Sequence, residues 1–128
     1  MHELGIATNI VEAVQREIAS HGYGRVTTVA LRVGAMTDVD HEALRFGFDV
    51  ITRDTPLNGV RLAIESVPIR IRCERCGQDS EIQQYHFICP KCAETRVTLI
   101  NGTELDIAYL EIEERTEEAA ANETGQQV

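Results

Sequence analysis

A chain of 128 residues suffices for one domain, or one domain with a small insert, and 12 Lys and Arg against 21 Asp and Glu leave a formal charge of −9. Hydrophobic residues reach 43% but aromatics only 5%, with no Trp, so the core is aliphatic and modest and needs further support. The acidity argues against nucleic acid as a partner, and no apolar stretch approaches the roughly 18 residues of a membrane span, so the chain reads as an unexported, cytoplasmic protein without a membrane partner.

Leu4, Ala7, Ile10, Val11, Val14 and Ile18 recur at helical spacing, and His21-Gly22 with Gly24 supplies a stop. A first helix therefore starts almost at residue 1. Val29, Leu31 and Val33 alternate as a strand that Gly34 closes. Asp38 and Asp40 precede the helical pattern Ala43-Leu44, Gly47-Phe48 and Val50-Ile51, which ends near Thr52. Pro56 and Asn58-Gly59 then turn the chain into a second strand.

Along that strand Val60, Leu62 and Ile64 fall on even positions, whereas Val67, Ile69 and Ile71 fall on odd ones. The buried face must switch near Ser66, through a bulge or, preferably, a change of domain. Val97–Ile100, the Asn101-Gly102 turn and Leu105–Ile112 resume strand character. From Thr116 onward no apolar periodicity remains, and the acidic tail 116–128 reads as disordered.

The fold class is α+β: a small sheet with two helices, interrupted by a four-cysteine, zinc-ribbon-like insert. The expected division is a discontinuous body, 1–67 and 103–115, around an insert at 68–102 that is too small to fold on its own core.

Cys73 and Cys76, then Cys89 and Cys92, form two Cys-x2-Cys pairs separated by 12 residues. Reduced cysteines so paired read as metal ligands and not disulfides. Gly77 and Pro90 suit tight knuckles, and the gap leaves room for a hairpin. Four thiolates fill the shell of Zn2+ and leave no position for water, so the site is structural. Iron in a rubredoxin-like site uses the same ligands. His86 is better read as an exposed hairpin residue than as a replacement ligand. Arg70, Arg72 and Arg75 are better read as offsetting the charge of a thiolate-bound ion than as a phosphate site.

The chain opens Met1-His2-Glu3. A bulky second residue should keep Met1 in place. The Met1 amine, the His2 backbone nitrogen and His2 Nδ1 then close adjoining five- and six-membered chelate rings. With the Glu3 amide or another side chain as fourth donor, the field is square-planar and suits Ni2+ or Cu2+. On the residues alone an ordinary exposed His is the simpler reading.

Met-His-Glu opening an amphipathic helix, the stretch Asp38-Val39-Asp40-His41-Glu42-Ala43-Leu44-Arg45-Phe46, Thr55-Pro56-Leu57, and Cys-x2-Cys followed by Cys-Pro-Lys-Cys closely resemble HypA/HybF, the nickel metallochaperones of NiFe-hydrogenase maturation. The likeness covers roughly residues 1 to 113 and leaves out the acidic tail. It implies a nickel metallochaperone, not an enzyme, with Ni2+ as cargo at Met1, His2 and Glu3. Asp40 matches the position that lends a carboxylate when the site engages its partner; on the residues alone it is better read as a helix N-cap or first-turn carboxylate. The family's structural Zn2+ carries over onto Cys73, Cys76, Cys89 and Cys92. The implied partners are a HypB-type GTPase and the hydrogenase large-subunit precursor, with urease maturation proteins left open. A zinc-ribbon adaptor or a rubredoxin-like redox module is the rival class. His21 and His41 sit at helix ends where structural roles explain them.

Overall fold

The computed structural model describes residues 2–22 and 24–113, so Met1 and the tail 116–128 lie outside the described residues. In chain order they form α1 (His2–His21), β1 (Arg25–Gly34), a 3-10 turn (Ala35–Thr37), α2 (His41–Thr52), β2 (Arg61–Val67), β3 (Ile69–Cys73), β4 (Asp79–Ile82), β5 (Val97–Asn101) and β6 (Leu105–Glu113). One three-stranded sheet has the order β2-β1-β6 and the other β4-β3-β5. The mixed α+β class is therefore as expected.

The chain separates into two compact units. Among the described residues the first takes in those up to Ala30, His41–Ala63 and those from Tyr109 onward; the second comprises Leu31–Asp40 and Ile64–Ala108.

In the first unit α1 packs on α2. The apolar stripe of α1 buries Ala7, Ile10, Val11 and Val14, and α2 contributes Leu44, Gly47, Phe48 and Thr52. Gly47 faces α1 closely: a Cβ there would lie 3.4 Å from Leu4 Cδ1 and 3.8 Å from Ala7 Cβ. Thr52 is buried without cost because its hydroxyl donates to the Phe48 carbonyl at 2.7 Å. Helix α1 stops at Gly22, whose φ of +64° lets its amide reach back to the Ile18 carbonyl at 2.9 Å.

In the second unit β3 is central and antiparallel to both neighbours. Ile69, Ile71 and Ile82 form its apolar cluster, with Met36, Phe87 and Val97 packed against them. Pro68 lies between β2 and β3, which belong to different sheets; the switch of buried face read from the sequence coincides with that break. Opposite β3, Arg70 pairs with Asn101 but Ile71 pairs with Leu99, so Ile100 is an extra residue, a bulge. This bulge leaves both Leu99 and Ile100 exposed.

The chain crosses itself tightly where β1 ends. The Gly34 amide donates to the Glu104 carbonyl at 2.7 Å and the Met36 amide to the Gly102 carbonyl at 2.8 Å. A Cβ on Gly34 would overlap the Gly102 carbonyl and come within 2.7 Å of the Glu104 nitrogen, so the approach requires glycine.

Candidate metal centre

Two knuckles built on the same backbone plan carry the cysteines. In the first, which turns β3 into β4, the Cys73 amide donates to the Gln78 carbonyl at 3.0 Å and the Gly77 amide to the Cys73 carbonyl at 3.0 Å. In the second, the Cys89 amide donates to the Glu94 carbonyl at 2.9 Å and the Ala93 amide to the Cys89 carbonyl at 2.8 Å. The offsets are identical, and both turns need a left-handed residue: Gly77 has φ +76° and Ala93 has φ +63°. Cys73 Sγ also accepts the amides of Arg75 and Cys76, each at 3.3 Å.

Folding brings the four sulfurs together. Cys73 Sγ lies 3.5 Å from Cys92 Sγ, Cys76 Sγ lies 3.7 Å from Cys89 Sγ, and all four are within 4.8 Å of one another. With metal–sulfur bonds of about 2.3 Å a regular tetrahedron has edges of about 3.8 Å, so the cage has the size of one ion with four thiolates. None of the cysteines forms a disulfide. Cys73 and Cys89 are buried, Cys92 is half-buried and Cys76 is exposed.

The amides aimed at the sulfurs stabilise negative charge unequally. The Cys76 amide, helped by that of Arg75, lowers the Cys73 thiol to about 6 against burial. Cys92 receives the Glu94 amide, which lowers it, but burial and the neighbouring sulfurs prevail and push it up to about 12. Four thiolates this close repel one another. A bound divalent cation removes the conflict by taking a lone pair from each.

One of the three clustered arginines, Arg72, is placed differently from the sequence reading of that cluster. Arg72 is held by Asp79, through Nε at 2.7 Å and a second nitrogen at 3.1 Å, so its charge is directed to a carboxylate and not to the sulfurs. This hydrogen bond holds the Asp79 carboxyl below the usual carboxylate range. Arg96 likewise donates through Nε and its backbone amide to Glu94, lowering that carboxyl to about 2. The expected hairpin between the cysteine pairs is also displaced. It forms from β3 and β4 around the first pair, and His86 lies exposed after β4, outside the cluster. Ile82, buried and paired with Ile69, was the signal for β4.

His2 is the first residue of α1, with its Nε2 3.3 Å from Glu3 Oε2. Its imidazole is 64% exposed, whereas the Glu3 carboxyl is 13% exposed. Asp40, immediately before α2, belongs to the second unit and is already engaged within the protein. At the other end of α1, His21 Nδ1 is 3.2 Å from the Glu17 carbonyl and 3.2 Å from its carboxylate, as a helix-terminal role requires. Among the described residues the cysteine quartet is the one group of His, Cys, Asp and Glu side chains close enough to share an ion, and no helix is long and apolar enough to cross a membrane.

A family model described as the hydrogenase/urease nickel-incorporation metallochaperone HypA matches residues 1–112. The chain belongs to the HypA family. Hydrogenase maturation factor HypA of Roseiflexus sp. (strain RS-1) is 42% identical over 123 residues, spanning 95% of this chain and 100% of the relative. HybF of Klebsiella pneumoniae is 37% identical over 111 residues, spanning 87% and 98%. In fold, the chain is similar to the solution structure of the Ni metallochaperone HypA from Helicobacter pylori, with a TM-score of 0.60 at 15% identity over 88% of this chain and 97% of that one. HypA members are hydrogenase maturation factors, and in this one the cysteine quartet forms a cage suited to a metal ion.

Proposed function

We propose that this HypA-family protein takes up Ni2+ at its N-terminus and delivers it for NiFe-hydrogenase maturation, without catalytic turnover, while Cys73, Cys76, Cys89 and Cys92 hold a structural Zn2+. The observation that carries this reading is the match of residues 1–112 to a nickel-incorporation family, in a chain whose second residue is an exposed His at the head of a helix. The Met1 amine, the His2 amide nitrogen and Nδ1, and the Glu3 amide would be the donors, with Asp40 adding a carboxylate when a partner engages. The first amides of a helix have no acceptor within it, so displacing their protons for a metal breaks no helix hydrogen bond. Uptake releases protons, and affinity therefore falls as pH falls.

The two ions have opposite requirements. A closed cage of four thiolates holds its ion for architecture, whereas a chelate of a few nitrogens at a chain end releases its ion when better donors approach. In this reading, the body 1–67 and 103–115 carries the cargo and the insert 68–102 depends on zinc. The proposed partners are a HypB-type GTPase and the hydrogenase large-subunit precursor, with urease maturation proteins as further clients, all in the cytoplasm.

Nickel titration of the chain with its native terminus tests this, repeated with His2→Ala and with a short extension before Met1. Both changes are expected to abolish tight uptake and leave one zinc per chain. Undiminished uptake by the extended protein refutes the terminal-amine site, and a visible iron–thiolate colour refutes zinc.

A further inference from the structure

We propose that the Glu3 carboxylate is a positioning residue for the His2 imidazole, acting beside the incoming ion and not as its ligand; this rests on the nickel reading above. Glu3 Oε2 lies 3.3 Å from His2 Nε2, and the two groups are unequally placed, with the carboxyl 13% exposed and the imidazole 64% exposed. The sheltered carboxyl is a fixed point. The exposed ring otherwise turns about two dihedrals, and holding it in advance removes that entropy from the cost of binding.

A carboxylate 3.3 Å from Nε2 favours the ring proton on that nitrogen. A neutral imidazole has one ring proton, and Nδ1 is left with its lone pair bare. Nδ1 is the nitrogen that closes a six-membered ring with the His2 backbone nitrogen. A carboxylate on the far ring nitrogen thus favours the chelating tautomer and turns Nδ1 away from Glu3. At His21 it is Nδ1 that contacts a carboxylate, Oε1 of Glu17 at 3.2 Å, so the two histidines of α1 turn opposite nitrogens toward their carboxylates. Adjacent side chains on a helix do not ordinarily face each other, whereas His2 and Glu3, at the head of α1, do.

Glu3→Ala and Glu3→Gln both keep the backbone amide of residue 3, so any change they cause belongs to the carboxylate. In the full chain with its native terminus, Ni2+ affinity is expected to fall about 10- to 100-fold in Glu3→Ala, and less in Glu3→Gln, whose amide oxygen can also face the ring. A second measurement needs no metal: nitrogen and carbon NMR of the His2 ring. The wild type should show an ordered ring protonated at Nε2, and Glu3→Ala a mobile one with mixed tautomers. Equal ring mobility in both proteins, or undiminished nickel uptake by Glu3→Ala, overturns the proposal. A wild-type chain indifferent to nickel overturns the parent reading instead, and the proposal with it, even where the ring is ordered.

Discussion

Ala93 occupies the left-handed position in the second knuckle that Gly77 fills in the first, with φ +63° against +76°. A side chain in that region costs about 1 kcal/mol relative to glycine, partly offset by the greater freedom of glycine in the unfolded chain. Ala93→Gly is therefore expected to raise the stability of the metal-bound protein by up to about 1 kcal/mol, read as a higher denaturation midpoint at unchanged metal content. Gly5 presents the opposite case. It lies within α1, and a Cβ there meets nothing within 4 Å. Gly5→Ala should stabilise by up to about 1 kcal/mol through helix propensity alone, measurable by urea denaturation.

At the scale of elements, the packing of α1 on α2 rests on small residues opposite large ones. Phe48 is fully buried. Phe48→Ala should cost about 3–5 kcal/mol in urea denaturation, while folded molecules retain one metal ion per cysteine quartet. Gly34→Ala acts by another route, since its φ of −74° suits any residue. Its Cβ meets the backbone of Gly102 and Glu104, which cannot move aside as a side chain would, so the paired amides of Gly34 and Met36 must lose their acceptors. A loss of about 3 kcal/mol is expected, checked by the same denaturation series.

At the scale of the molecule, the second unit has a small apolar cluster centred on three Ile residues, and the cysteine cage supplies what that cluster lacks. Metal binding contributes on the order of 10 kcal/mol to such sites. Removal of the ion by a chelator is expected to collapse the amide NMR dispersion of Ile69–Leu99 while α1 and α2, with their own buried stripe, keep helical circular dichroism. Retained dispersion across β3, β4 and β5 after removal would show that the apolar cluster suffices by itself.

Both helices were legible because their apolar positions recur at 3.6-residue spacing, and the quartet because two short Cys spacings leave few alternatives to one shared ion. Strand β4 was missed: Asp79–Ile82 is four residues long and mostly polar, and Ile82 gains meaning only opposite Ile69. The partner of Arg72 was equally hidden, because only the β3–β4 register sets it opposite Asp79. Periodicity and ligand spacing are local, so the amino-acid order determined the helices and the donor set. Which carboxylate holds which arginine, which nitrogen of His2 faces Glu3, and why Gly34 must lack a side chain depend on atoms brought within a few ångströms by folding, and only the tertiary structure decided them.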